Sequence, residues 1–276
     1  MDTSKIVEDL KNTGFSITNV KEFLGRNVNY EKTANDFRSW TTRPEIVHQA
    51  ELLKEGRPLV NRTKYFEFQN KQLLGEGLSL ENSSLIQFYL DNKFLEVAES
   101  YLETNEARIR NCLAFYHPEN PMPPSNSQNW HRDTEDTKIL KIFVYYNDVR
   151  TSNGALWYVK NSSSGKKNDS IWPNVGQAPH GYLDLEATMK IPYSDVVNFE
   201  GPEGTICFFD ANGFHRGGKV SQGYRISTHC CYIKSTAPHI VNGVLPTFEY
   251  DEDVNSVNRQ GKHYKSLSKR QKKYLN

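Results

Sequence analysis

Short β-prone runs separated by turn-rich segments dominate residues 108–234, and they limit the possible folds more than any other feature of the chain. The runs are RIRNCLAFY (108–116), KILKIFVYY (138–146), ALWYVK (155–160), GTICFFD (204–210) and RISTHCCYIK (225–234). The sequence does not indicate helices of the kind that connect parallel strands between these runs. The pattern therefore favours an antiparallel barrel or jelly roll.

The chain before residue 107 has helical rather than strand periodicity. Apolar residues recur at helical spacing in EIVHQAELLK (45–54), SLIQFYL (84–90) and FLEVAESYL (94–102). A further helix is predicted from Ser4. Gly14 is placed to end it, because glycine readily adopts the left-handed conformation of a helix C-terminus. Pro44 suits the first turn of the helix that it precedes.

The composition is that of a globular protein, with 276 residues, 24% of them charged, and a net charge of +1. This balance excludes a strongly basic protein whose whole surface binds nucleic acid. The four cysteines lie in apolar runs without a CxxC pair, so we expect reduced core residues in a reducing compartment. There is neither an apolar N-terminal segment nor an apolar run of 18 residues, which predicts a cytoplasmic protein without a membrane partner.

Residues 259–276 contain seven Lys or Arg and no acid. We expect a solvated helix or a frayed terminus there. The alternative is a basic arm that binds nucleic acid or another anionic partner. No other part of the chain hints at nucleic acid.

The stretch Trp130-His131-Arg132-Asp133 carries the strongest chemical signal. Residues i and i+2 of an extended segment point to the same face, so His131 and Asp133 can bind one ion. His215, which follows the run 204–210 through a turn, is the best third ligand. Two imidazoles and one carboxylate form the facial triad of non-haem Fe(II) oxygenases. Such a triad leaves two positions for a bidentate keto acid and one for O₂.

Two residues at the start of the last β-prone run are expected to bind a keto diacid. Its distal carboxylate needs a cation, and the planar guanidinium of Arg225 suits bidentate pairing. Ser227 lies two residues on, hence on the same face, where its hydroxyl could add a donor. Lys141 is a competing anchor, although we expect it to face solvent. His229 is expected to be a core histidine with satisfied hydrogen bonds.

Three stretches closely resemble the phytanoyl-CoA dioxygenase-like (PhyH) family of Fe(II)/2-oxoglutarate oxygenases: QNWHRDTEDTKILKIFVYYNDV, NGALWYV and GPEGTICFFDANGFHRGGKVSQGYRIS. The resemblance covers residues 84–234 and extends to the order and spacing of the motifs. It implies His131, Asp133 and His215 as catalytic iron ligands and Arg225 as the anchor of 2-oxoglutarate. It also implies a double-stranded β-helix (a cupin-like jelly roll), which is a mainly β fold with flanking helices.

With this fold we expect a single domain over residues 1–276. Residues 1–106 would form a mostly helical N-terminal part, 107–235 the β-helix core and 236–276 a C-terminal extension. His180 is expected in a loop of the polar segment 161–200. If this segment forms a lid, His180 could reach the substrate.

The expected activity is hydroxylation of a small organic substrate with Fe(II), 2-oxoglutarate and O₂, releasing succinate and CO₂. Halogenating relatives replace the metal-binding carboxylate with a small residue, so the presence of Asp133 favours hydroxylation or a related oxidation. Two alternatives stay open: a cupin-like metal enzyme that does not use 2-oxoglutarate, and a non-catalytic binding module. A third possibility is a macromolecular substrate docked by the basic tail.

Overall fold

The computed structural model describes residues 2–57, 66–68, 84–124, 126–134, 136–173, 181–234, 236 and 265–275. Its strands are β1 (Phe15–Asn19), β2 (Phe66–Phe68), β3 (Ala107–Pro118), β4 (Leu140–Tyr145), β5 (Leu156–Val159), β6 (Val196–Phe199), β7 (Thr205–Asp210), β8 (His215–Arg216) and β9 (Tyr224–Lys234). Its α-helices are α1 (Thr3–Thr13), α2 (Val20–Phe23), α3 (Val28–Thr41), α4 (Pro44–Lys54), α5 (Ser84–Tyr89), α6 (Asn92–Leu102), α7 (Leu185–Met189) and α8 (Lys269–Lys273). Within these ranges, no helix has both the length and the apolar character needed to cross a membrane.

Antiparallel pairing joins the strands into two sheets. The major sheet has the order β1-β7-β4-β9-β3-β2, and the minor sheet has the order β6-β5-β8. The five predicted β-prone runs correspond to β3, β4, β5, β7 and β9. The prediction of a mainly β fold with flanking helices is confirmed.

The N-terminal part supplies strands as well as helices. Helix α1 ends at Gly14, which has a φ of 91° and whose N–H donates to the Leu10 carbonyl at 3.0 Å. A Cβ at this glycine would lie 2.4 Å from the Tyr158 hydroxyl, so both the conformation and the space require glycine. The chain then turns directly into β1, which pairs with β7 at the edge of the major sheet. This five-residue strand was not predicted from the sequence.

The two faces of the major sheet pack against different partners. On one face, Ile142 and Phe208 share a core with Phe94 of α6 and the other N-terminal helices. On the opposite face, Phe209 shares a core with Tyr158 of the minor sheet. Strand β7 is therefore buried on both faces, which explains why its sequence lacks polar alternation. All four cysteines are buried and none forms a disulfide, as predicted.

The basic end of the chain is anchored to the N-terminal part. Arg270 of α8 forms an ion pair with Glu99 of α6, with 2.6 Å between Nη2 and Oε2. Tyr274 is almost fully buried, and its hydroxyl donates to the Leu95 carbonyl at 3.1 Å. Its main-chain carbonyl accepts a hydrogen bond from the Ile109 N–H, also at 3.1 Å. The predicted solvated helix is present as α8, none of whose residues is buried. A frayed terminus does not describe residues 265–275, because the contacts of Arg270 and Tyr274 anchor them. Binding of nucleic acid or another anionic partner by this tail stays an alternative.

We expect Tyr274→Ala to destabilise the protein by about 3 kcal/mol, because it removes a buried aromatic ring and its hydrogen bond. Equilibrium unfolding in urea measures the change in the free energy of unfolding. Tyr193→Ala is the matched control, because the Tyr193 side chain is 90% exposed. Equal stability of the two variants would show that the docked tail contributes nothing to the fold.

Candidate metal centre and adjoining cavity

Two hydrogen bonds bring distant parts of the chain together at the centre of the molecule. The N–H of His131 donates to the carbonyl of His215 at 3.0 Å, and the N–H of His215 donates back at 2.8 Å. In such a reciprocal antiparallel pair the two side chains lie on the same face. The imidazole centroids are accordingly 4.2 Å apart, although the residues are 84 positions apart in sequence.

The carboxylate of Asp133 completes a cluster of three metal-binding groups. Its Oδ1 lies 3.8 Å from Nε2 of His215 and 4.0 Å from Nε2 of His131. One ligand atom from each of the three residues lies within 4.8 Å of the other two. The structure therefore brings together the three residues that the sequence analysis selected as metal ligands.

Backbone carbonyls hold both imidazoles in the same tautomer. Nδ1 of His131 donates to the carbonyl of Asn129, and Nδ1 of His215 donates to the carbonyl of Gly213, each at 2.9 Å. A neutral imidazole that carries its proton on Nδ1 presents a lone pair on Nε2. In the neutral form, both Nε2 atoms therefore carry their lone pairs within 4.0 Å of Oδ1 of Asp133.

Burial and neighbouring charges set the protonation states that a cation needs. Burial lowers the pKa of His215 well below its usual value, and nearby His131 lowers it further. Burial alone raises the pKa of Asp133. The charge of Lys141 and the two nearby imidazoles outweigh the effect of burial, so the pKa of Asp133 lies well below its usual range. A neutral imidazole beside an ionised carboxylate is the form that binds a divalent metal.

Lys141 lies inside the site, which corrects the expectation that it faces solvent. It projects from β4, its side chain is only 12% exposed, and its Nζ donates to Oδ2 of Asp133. The physical reason is that this face of β4, which carries Lys141 and Phe143, lines the cavity beside the candidate metal centre. A lysine that follows strand alternation therefore finds a buried carboxylate there instead of water.

Asp210 links the two ligand-bearing segments and was missed by the sequence analysis. Its Oδ1 accepts from the N–H groups of Ile139 and Asn212, both at 3.1 Å, while Oδ2 accepts from the Tyr101 hydroxyl at 2.6 Å. Asn212 in turn donates its side-chain amide to the carbonyl of Asp133 at 3.3 Å. An acid directly after the apolar run 206–209 is the only sequence signal for this role.

A cavity of about 100 Å³ adjoins the imidazoles of His131 and His215. It is lined by Phe115, His117, Ser127, His131, Lys141, Phe143, Leu156, His215, Gly217, Arg225 and His229. This volume holds several water molecules or one small organic ligand. His117 belongs to β3. Ser227 is buried but is not among the lining residues.

Arg225 lines this cavity, and part of its hydrogen-bonding capacity is unused among the described residues. It is 3% exposed, and its Nη2 lies 3.3 Å from Nε2 of His117. Its Nε and Nη1 have no hydrogen-bond partner among the residues that the structure describes. A buried guanidinium with two unused donors is costly unless an anion binds it, so this end of the cavity suits a carboxylate.

His229 also lines the cavity, and one part of its predicted role is wrong. It is buried, as expected of a core histidine, but its Nδ1 lacks a hydrogen-bond partner within the described part of the chain. Only part of the candidate lid lies within the described residues. In that part, the ring centroid of Tyr182 lies 5.3 Å from that of His131. His180 lies outside the described residues.

The donor set fits a divalent iron and a keto diacid. Two imidazole nitrogens and one carboxylate oxygen converge on one point, which matches the ligands that non-haem Fe(II) prefers. Arg225 lines the same cavity, and its buried guanidinium matches a carboxylate.

Solved structures with the same fold include non-haem, α-ketoglutarate-dependent enzymes. The carbocyclase SnoK from nogalamycin biosynthesis is 16% identical, with a TM-score of 0.55, and the match covers 89% of this chain and 93% of SnoK. EctD from S. alaskensis, solved with 2-oxoglutarate and 5-hydroxyectoine, is 15% identical with a TM-score of 0.54, covering 85% of this chain and 77% of EctD. The epimerase SnoN, solved with Fe³⁺, α-ketoglutarate and nogalamycin RO, is 14% identical with a TM-score of 0.52, covering 85% and 84%. At these identities the likeness shows the fold alone.

A search of curated proteins by sequence found no match. The family model for phytanoyl-CoA dioxygenase matches residues 35–227, which include the two histidines, Asp133 and Arg225. This span is more than half of the chain, and it agrees with the motifs that carried the resemblance in the sequence. The chain belongs to the phytanoyl-CoA dioxygenase (PhyH) family.

Proposed function

We propose that this protein is an Fe(II)- and 2-oxoglutarate-dependent oxygenase that hydroxylates a small organic substrate. The observation that carries the proposal is the convergence of Nε2 of His131, Nε2 of His215 and Oδ1 of Asp133. Membership of the PhyH family and the fold shared with SnoK and EctD support the same reaction class. The carboxylate at Asp133 favours hydroxylation over halogenation, because it takes the position where chloride would bind.

Each residue has a defined task in this proposal. His131, Asp133 and His215 hold the iron, and their hydrogen bonds to carbonyl groups and to Lys141 keep the donor atoms oriented. Arg225 binds the distal carboxylate of 2-oxoglutarate, and His117 holds the guanidinium in place. A second donor from Ser227 stays a prediction.

The cavity walls complete the site. When bound, iron and 2-oxoglutarate supply an oxidative decarboxylation that yields succinate and CO₂ and oxidises the substrate. Phe115, Phe143 and Leu156 provide an apolar lining that excludes water from the reacting groups. The buried position of Arg225 strengthens its attraction for a carboxylate, because the local dielectric constant is low.

Each of the two alternatives leaves one group of buried side chains without a function. A cupin-like metal enzyme that does not use 2-oxoglutarate has no need of a buried guanidinium with two unused donors. A non-catalytic module has no need of a carboxylate and two imidazoles held with their donor atoms facing each other. The unused donors of Arg225 therefore favour the oxygenase.

We expect 2-oxoglutarate to raise the melting temperature of the protein only when Fe(II) or Mn(II) is present, because the metal provides half of its binding site. Arg225→Met should weaken the binding of 2-oxoglutarate about a hundredfold, since it removes a buried charged hydrogen-bonding group. The affinity for Mn(II) should stay unchanged. Thermal shift and calorimetric titration measure both quantities.

Two controls make this result specific. Arg225→Lys keeps the charge but loses the planar fork, so it should restore part of the affinity. Arg150→Met removes an arginine whose side chain is 72% exposed, and it should behave as the wild type. A metal-loaded protein whose melting temperature does not respond to 2-oxoglutarate would contradict the proposal and favour the cupin-like alternative.

A further inference from the structure

The two carboxylate oxygens of Asp133 have different surroundings. Oδ1 lies within 4.0 Å of both imidazole Nε2 atoms, whereas Oδ2 accepts a hydrogen bond from Nζ of Lys141. Lys141 occupies a central strand, where it pairs with Phe209 of β7 on one side and Cys231 of β9 on the other. The ammonium group is therefore presented by the rigid middle of the sheet.

We propose that Lys141 is a positioning residue that makes Asp133 bind the metal through Oδ1 alone. The inference rests on the proposed function. A carboxylate binds a metal through one oxygen or through both. Oδ2 can turn towards a metal at the imidazoles only if its ion pair with Lys141 breaks, and a buried ion pair is costly to break.

One-oxygen binding has a direct consequence for the reaction. Three protein donor atoms leave three positions of an octahedral ion open, enough for a bidentate keto acid and O₂. If Asp133 bound through both oxygens, one of these positions would be lost. By holding Oδ2, Lys141 keeps the position for O₂ available.

The same contact separates the tasks of the two buried cations. Lys141 is engaged with Asp133, whereas two nitrogens of Arg225 have no partner among the described residues. Lys141 is consequently the poorer anchor for the distal carboxylate of a keto acid. The positive charge of Lys141 has a second effect, because a cation beside the metal-binding carboxylate opposes the binding of a divalent ion.

The test compares Lys141→Met and Lys141→Arg with the wild-type protein. Lys141→Met removes both the charge and the donor, so Mn(II) should bind at least tenfold more tightly. Nitric oxide, added without O₂ to the Fe(II)- and 2-oxoglutarate-loaded protein, reports whether the third position is open. Its affinity, measured by electron paramagnetic resonance, should fall at least tenfold in Lys141→Met and return in Lys141→Arg.

Crystals of the Mn(II)-loaded proteins give the direct readout. Asp133 should contact Mn(II) through one oxygen in the wild type and through both in Lys141→Met. Lys138→Met is the matched control, because Lys138 precedes the same strand but forms its ion pair with Glu103 at the surface. If Lys141→Met does not fold, Lys141→Ala serves for the same comparison.

Either of two results would overturn the role of Lys141: one-oxygen contact in the Lys141→Met crystals, or wild-type affinity for nitric oxide in that variant. Failure of the proposed function looks different, because the wild-type protein itself would then bind neither Mn(II) nor 2-oxoglutarate. That outcome removes the basis of the inference as well.

Discussion

His215→Ala is expected to reduce the release of succinate from 2-oxoglutarate to the level of metal-free protein. The substitution removes one of three metal-binding atoms from a site in which all three converge. Loss of residues that merely orient such ligands costs about 10–100-fold in metal affinity or activity, and loss of a ligand itself should cost more. Succinate formation and Mn(II) affinity should therefore fall together.

The fold should survive this change. The His215 N–H and carbonyl hold the segment through the backbone, and alanine keeps both groups. Circular dichroism should match that of the wild type. His48→Ala is the control, because it removes a histidine that is exposed on α4. Wild-type succinate release by His215→Ala would refute the assignment of the metal centre.

Asp210→Ala is expected to lower the free energy of unfolding by about 4 kcal/mol. The substitution leaves three buried donors without their acceptor: the Tyr101 hydroxyl and the N–H groups of Ile139 and Asn212. Each unsatisfied buried donor costs about 1–3 kcal/mol, while relief of the buried carboxylate offsets part of the loss. Urea unfolding measures the difference.

Asp210→Asn separates the hydrogen bonds from the charge. Its amide oxygen can still accept from the backbone, so it should lose less than half as much stability as Asp210→Ala. Because Asp210 joins the start of β4 to the turn before His215, the alanine variant should also bind Mn(II) more weakly. Unchanged stability and unchanged Mn(II) affinity in Asp210→Ala would show that this carboxylate does not organise the site.

Local sequence patterns were sufficient for five of the strands and for most of the candidate site, but not for β1. The i, i+2 spacing of His131 and Asp133 reflects the alternation of side chains in extended backbone, so it could be recognised without the fold. The β-prone runs predicted β3, β4, β5, β7 and β9, because strand propensity and turn residues act over a few neighbouring positions. Arg225 could be selected in the same way, from its position at the start of a strand.

The tertiary structure decided what those residues touch. Strand register brings Lys141 to Oδ2 of Asp133, and two strands that are distant in sequence hold it there. The same is true of Asp210 between its three donors and of Tyr274 beneath α6. Propensity and periodicity describe one segment at a time. The register between segments follows from the burial of whole faces, and a buried charge takes its function from the partner that this register supplies.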